Sequence, residues 1–470
     1  MDFFKLKNGC SVSLPAAADR HLITELLHGY AYGVDFVIGN SESCCVATFG
    51  EATPAPLTDG EFVINTTENG VYINGKDFAC TMRGFVTVLA SITQSREDKT
   101  WQIPCGSAED KPAVQFRSVH LCLFPETTYD EVIKYIRSFG VEKYSHIVLE
   151  FWGTYQFECM KELGWKNRSF TKDQVRTFVR EANSLGMEVI PMFNHLGHAA
   201  ACRDRNGKHV VLDQNPALEY LFDFDGWVWD FKSEEVYQLL KSIRKELMDL
   251  CGNGSYFHLG CDEAYTLHNE AENGVALCNF LNRIQDELAA EGRRGIIWGD
   301  MMLLKEDFAK YDTGATALGD YSCTGEPNVC KVMLERLSRD LIIADWHYRA
   351  KVAPWQSSVS FKEKGFDVLC CPWDDVGNIV AALDTAVGEN LMGVMQTTWH
   401  TMFYNAYCNS LYMGAALWKG TSNIYPGYSV HYPGKAVRMH AAKISRKVCF
   451  ADGEFEKTGW SKEMMGPGHV

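Results

Sequence analysis

The stretch "YFHLGCDE", Tyr256 to Glu263, decides how the rest of the chain is read. It is an apolar run of strand length that ends on two adjacent acids. Neighbouring side chains on a regular strand point to opposite faces, so both acids reach one site only where the strand stops. For one Asp-Glu pair a solvated turn is the plain alternative. Seven further runs of the same kind argue against it: "RSVHLCLF", "SHIVLEFW", "MEVIPMFN", "GIIWGD", "LIIADWHY", "DVLCCPWDD" and "MGVMQTTWH". Between the runs lie stretches such as "TKDQVRTFVREANSLG" and "ALCNFLNRIQDELAAEG", with apolar residues at three- and four-residue steps and Gly at several ends. Strands alternating with helices build a parallel sheet, and eight such units predict an α/β fold closed as a (β/α)8 TIM barrel.

A barrel of this kind assembles its active site at the C-terminal ends of its strands. Glu150, Asn194, Asp262, Glu263, Trp298, Asp300, Asp345, Trp346, Trp373, Asp374, Asp375 and Trp399 close the runs. Any one of them is explained as a helix cap or a rim residue. Eight ends repeatedly carrying acids and tryptophans predict an acidic pocket with aromatic walls. Flat aromatic faces suit the apolar faces of a pyranose, and carboxylates accept hydrogen bonds from its hydroxyls. Cleaving a glycosidic bond needs a protonated acid beside the leaving oxygen and a nucleophile or negative charge near the anomeric carbon. An ionised Asp262 and a low-dielectric pocket raise the proton affinity expected of Glu263, which suits it to the acid role.

Before the barrel the pattern differs. "EFVINTTENGVYINGKDFACTMRGFVTVLASI", Glu61 to Ile92, opens with short alternating runs broken at Asn69-Gly70 and Asn74-Gly75, then turns helical. A small α+β domain is expected over residues 1–111. The polar, proline-bearing "SREDKTWQIPCGSAEDKPAV" ends it near Pro112, and 112–470 form the barrel domain with a C-terminal extension. The segment after Trp399 is left to pack on the barrel or to pair with a second copy in a homodimer.

Bulk properties bound the function. The 470 residues are 46% hydrophobic and 22% charged, as in folded chains, and the net charge of -15 argues against nucleic-acid or anionic-membrane partners. No apolar run is long enough to span a bilayer, and the N-terminus lacks signal-peptide features. The 17 cysteines are odd in number, scattered and free of C-x-x-C spacing, which suits reduced thiols in a cytoplasmic protein.

At "HLGCDEAY" the sequence resembles the β-N-acetylhexosaminidases of glycoside hydrolase family 20, whose signature strand reads H-x-G-x-D-E; His258, Gly260, Asp262 and Glu263 match it. "VIPMFNHLGHAA", Val189 to Ala200, is similar to the family's V-I-P-E-x-D-x-P-G-H-x. The resemblance implies an exo-acting enzyme that removes terminal β-linked GlcNAc or GalNAc from oligosaccharides or glycoconjugates. It implies a retaining, substrate-assisted mechanism through an oxazolinium, with no cofactor and no metal. Glu263 would protonate the leaving oxygen and Asp262 would orient the acetamide. Trp298, Trp346 and Trp399 would wall the acetamide, His198 would support the acid, and Glu150 and Asp375 would bind hydroxyls. Arg117 would bind hydroxyls at the far side of the sugar, with a salt bridge at the base of the barrel as its other reading. The chain departs from the pattern at Asn194 (Asp in the family), at Glu150 (an Asp-Asp pair), at Trp373 (a tyrosine that binds the acetamide oxygen) and at His400 (an acid). Tyr348 is the expected replacement hydroxyl. Two other functions stand beside this one. One is a metal-dependent barrel hydrolase using His195, His198, His347 and His400. The other is a non-catalytic amino-sugar-binding barrel.

Overall fold

The computed structural model describes residues 2–200, 209–223, 226–313, 319–402 and 406–420. Of the segment after Trp399, residues 400–402 and 406–420 are described, and their helix Tyr407–Lys419 packs on the barrel; the rest, and with it any pairing role, lies outside the described residues. The N-terminal part is built from two sheets. Strands β1 (Phe3–Leu6), β7 (Thr93–Gln94) and β8 (Trp101–Pro104) form a small antiparallel sheet in the order β1-β8-β7. Strands β2 (Cys10–Leu14), β3 (Phe36–Asn40), β4 (Val46–Gly50), β5 (Phe62–Thr67), β6 (Gly70–Gly75) and β9 (Gly106–Asp110) form a six-stranded sheet, β3-β2-β4-β6-β5-β9. The hairpin expected at Asn69-Gly70 is the β5–β6 turn. Helices α1 (Arg20–Tyr30) and α2 (Phe78–Ser91) bury Leu22, Leu26, Phe85 and Leu89 in one continuous core with the second part.

That second part is a closed parallel barrel of eight strands. They are β10 (Phe116–Leu123), β11 (His146–Phe151), β12 (Glu188–Met192), β13 (Tyr256–Gly260), β14 (Arg294–Trp298), β15 (Ile342–Trp346), β16 (Asp367–Cys371) and β17 (Gly393–Thr397). The helices between and after them are α3 (Tyr129–Val141), α4 (Lys172–Ser184), the short α5 (Val211–Gln214), α6 (Glu234–Cys251), α7 (Ala271–Ala290), the short α8 (Lys305–Phe308), α9 (Pro327–Arg336), α10 (Gln356–Glu363), α11 (Val376–Gly388) and α12 (Tyr407–Lys419). Sequence sets their starts. Thr128 with Glu131, and Thr171 with Gln174, make capping boxes that satisfy the first free N–H groups of α3 and α4. Among the described residues no helix is long and apolar enough to cross a membrane.

Period-two alternation on the strands fills the barrel. Phe116, Val148, Ile190, Ile296, Ile342, Leu369 and Met395 pack inside it, beneath Trp298 and Trp346. The base is closed by Phe116, stacked on His146 at 4.1 Å and edge-on to Tyr256 at 5.4 Å. Burial, then Arg117 and Arg83, push the His146 imidazole down to about 3, so it sits there as a neutral ring.

Candidate active site

β13 ends by breaking the alternation that would separate its two acids. Its register against β14 slips between His258 and Gly260. Gly260, Cys261 and Glu263 then have φ of 70°, 75° and 50°. Left-handed backbone costs a non-glycine residue about 1–2 kcal/mol and persists where surrounding structure enforces it. Cys261 is thereby buried, its thiol donating to the Leu259 carbonyl at 3.4 Å, while Asp262 and Glu263 both turn to His198. Two glycines make room. A Cβ on Gly260 would lie 2.6 Å from Asn194 Oδ1, and one on Gly197 would lie 2.1 Å from the Asp262 carbonyl. The "NHLGH" and "HLGCDE" stretches interlock, each leaving the space that the other fills.

His198, itself at φ 56°, joins the two acids. Its Nε2 lies 2.9 Å from Glu263 Oε2 and 3.5 Å from Asp262 Oδ2. Asn194 donates through Nδ2 to Asp262 Oδ1 at 3.0 Å and to the Gly197 carbonyl at 3.2 Å. Asp262 is buried and Glu263 is half-buried. Beneath them, Asp300 accepts from the Glu263 backbone N–H and from Trp346 Nε1, both at 3.0 Å, and from the Thr324 hydroxyl. Burial, then the Asp262 charge, push the Asp300 carboxyl up to about 7, against the opposing pull of the Thr324 and Glu263 hydrogen bonds. Trp227 donates through Nε1 to the Glu263 carbonyl at 2.7 Å and lies against His198. Tyr265, itself exposed, stacks on Trp227 at 5.8 Å. Trp227, Tyr265, Thr324 and the anchoring role of Asp300 carried no signal in the sequence, because loops without periodicity supply or partner them.

Aromatic rings wall the pocket. Trp346 stacks on Tyr348 at 4.9 Å, Tyr348 meets the edge of Trp373 at 5.1 Å, and Trp399 lies 5.5 Å from Trp298. The Tyr348 hydroxyl accepts from Trp399 Nε1 at 2.7 Å and also meets the Thr397 side chain. Trp373 Nε1 is spent on the Thr401 hydroxyl at 2.9 Å, so Trp373 supplies a surface and no free donor. Trp298 is fully buried and forms the floor, with its ring against His258 at 4.5 Å.

Three expected sugar ligands stand elsewhere. Arg117 is at the base of the barrel, one residue into β10, and donates to the carbonyls of Lys143, Val114 and Gln115. Its guanidinium lies 5.0 Å from the Trp418 ring and 4.0 Å from Glu61, at the face opposite the pocket. Asp375 is the N-cap of α11, accepting from Asn378 N–H and pairing with Lys351 at 2.7 Å. Burial pulls its carboxyl up, but Lys351 and the Asn378 hydrogen bond outweigh it and hold it below the usual range. Glu150 turns into the barrel, where its Oε2 meets His120 Nε2 at 2.9 Å. Asp345, among the strand-end acids, faces outward to Ser357 and Ser358 beneath α10. The four histidines of the metal-hydrolase reading are dispersed. His195 bonds the Phe193 carbonyl, His347 bonds Ser357 and pairs with Asp345 at 2.8 Å, His400 packs on Trp373, and of the four only His198 joins Asp262 and Glu263.

Comparison with known proteins points one way. The model of a family described as "Glycosyl hydrolase family 20, catalytic domain" matches residues 137–402. A lacto-N-biosidase of Bifidobacterium bifidum is 22% identical over an alignment of 273 positions that covers 54% of this chain and 23% of that protein. The chain therefore spans about a quarter of that relative's length. The fold is shared with solved structures. A GH20 exo-β-N-acetylglucosaminidase from Vibrio harveyi in complex with N-acetylglucosamine is 14% identical, with a TM-score of 0.64 over 94% of this chain and 75% of its own. The GH20 β-N-acetylhexosaminidase of Streptomyces coelicolor A3(2) is 16% identical, with a TM-score of 0.64 over 94% and 93%. A β-N-acetylhexosaminidase of Bacteroides fragilis is 15% identical, with a TM-score of 0.62 over 100% and 97%.

Proposed function

Because the chain belongs to glycosyl hydrolase family 20, we propose that it removes terminal β-linked N-acetylhexosamine from oligosaccharides or glycoconjugates by substrate-assisted, retaining hydrolysis. The observation that carries this reading is the shared orientation of Asp262 and Glu263. Enzymes with a carboxylate nucleophile place two carboxyl groups on opposite faces of the sugar, about 5–5.5 Å apart. Here both acids turn to one His198 nitrogen, Glu263 at 2.9 Å and Asp262 at 3.5 Å, so the carboxylates stand side by side rather than across a sugar from each other. That arrangement leaves the attack on the anomeric carbon to a group of the substrate itself.

The acetamide oxygen forms the new bond to the anomeric carbon as the glycosidic C–O bond breaks, and Glu263 gives its proton to the departing oxygen. Asp262 accepts the acetamide N–H and offsets the positive charge of the oxazolinium. Tyr348, held by Trp399, turns its hydroxyl from Thr397 to hydrogen-bond the acetamide oxygen and so aims it. Water then adds at the anomeric carbon, Glu263 takes back a proton, and the acetamide is restored. The configuration is retained because the carbon is inverted twice. The 17 cysteines, odd in number and free of C-x-x-C spacing, support placing the enzyme in the reducing cytoplasm.

The test is turnover of p-nitrophenyl β-N-acetylglucosaminide and its galacto epimer by the wild type, by Glu263→Gln and by Asp262→Asn. The acid variant is expected to lose about 10²–10⁴-fold in kcat/KM. The matching glucoside, which lacks the acetamide, is expected to be inert. Glucoside turnover at a comparable rate would overturn the internal nucleophile. Binding of the amino sugars with no turnover would point instead to a sugar-binding barrel.

A further inference from the structure

The hydrolytic reading leaves His120, Cys122 and Glu150 without a task. Cys122 and Glu150 are direct partners in the β10–β11 register, and His120, two residues before Cys122, shares its face. All three are buried. His120 Nε2 and Cys122 Sγ approach the same Glu150 Oε2 at 2.9 Å and 3.2 Å, and lie 3.6 Å from each other. An imidazole, a thiol and a carboxylate form a donor set that suits zinc. A cation about 2.0 Å from the nitrogen and oxygen and about 2.3 Å from the sulfur would see these atoms at angles of roughly 93–114°. That is a pyramid with one side open.

We propose that His120, Cys122 and Glu150 bind one zinc-class divalent cation inside the barrel, with water as its fourth ligand. Charge supports it. A thiolate and a carboxylate together balance a doubly charged ion, giving a neutral unit where an uncompensated charge would be costly. So does rigidity, because all three ligands stand on two adjacent, hydrogen-bonded strands rather than on loops. The His120 ring meets Trp298 and Trp399 edge-on at 5.6 Å and 4.9 Å, so the ion would tie the first two strands to the pocket floor. His198, Asp262 and Glu263 also converge, but they offer no sulfur, and that difference separates the two clusters in a spectrum. The proposal does not depend on the hydrolase reading.

The experiment uses the full chain with Cys44→Ala and Cys45→Ala, since that pair could itself bind a metal. Chelator-treated protein is titrated with Co²⁺ and then with Zn²⁺. One equivalent of Co²⁺ is expected to give a thiolate-to-cobalt charge-transfer band, and Zn²⁺ to displace it and raise the Tm. The band should vanish in Cys122→Ser and persist in His198→Ala. Absence of the band from the folded background protein, or its survival in Cys122→Ser, overturns the site. Should Cys122→Ser fail to fold, Glu150→Gln decides: at least tenfold weaker Co²⁺ binding is expected, and unchanged affinity refutes the proposal.

Discussion

Asp300 shows how a residue at the floor of the pocket governs those that face the sugar. Three donors fix its carboxylate, and through them it holds the Glu263 backbone and the Trp346 wall. Its carboxyl is raised because charging it costs desolvation and repulsion from Asp262. The folded protein therefore binds a proton there that the unfolded chain releases at lower pH. Its contribution to stability is complete below the ordinary 3.8 and is lost as pH rises through about 7. Wild type is expected to lose thermal stability between about pH 5 and about pH 8 relative to Asp300→Asn, whose amide does not titrate. Denaturation midpoints of both proteins at the two pH values measure it. A parallel course for the two would show that the Asp300 carboxyl is ionised throughout.

The ends of the elements decide which side chains face the pocket. The β13 end turns two adjacent acids to one side through its left-handed residues, whereas the short link after β16 ends on Asp375 as the cap of α11. Asp375 is taken up by that helix start. Asp375→Ala should therefore cost about 1 kcal/mol, the worth of an N-cap, and leave kcat/KM for both epimers unchanged. Its exposed pairing with Lys351 adds little. Chemical denaturation and steady-state kinetics on the same preparation test the two halves of this statement. A large rise in KM would return Asp375 to the sugar.

At the scale of the molecule, Arg117 joins the two parts of the chain. It reaches Trp418 of α12 and Glu61 of the N-terminal part, and Glu61 also pairs with Arg83 at 2.9 Å, which in turn donates to the Gly186 carbonyl at 3.2 Å. Trp418 completes the contact by stacking on Phe62 and donating to Asp110 at 2.7 Å. Arg117→Met should destabilise the protein by about 3 kcal/mol, the cost of breaking a buried charged contact, without changing KM. A Tm that holds while KM climbs would place Arg117 at the substrate.

Local pattern was enough for the barrel, the β5–β6 hairpin and the Asp262-Glu263 pair, because periodicity and turn residues act over a few positions. The H-x-G-x-D-E stretch even carries its glycine where the backbone must turn left-handed. What the sequence left open was where each side chain points across the barrel. Arg117, Glu150 and Asp375 all lie on barrel strands or at their ends, yet one is at the base, one is inside and one caps a helix. Strand register, barrel closure and the competition of neighbouring donors set those outcomes, and these are distances between residues far apart in the chain. Tertiary structure alone brought His120 and Cys122 to Glu150, and Asp300 beneath Glu263.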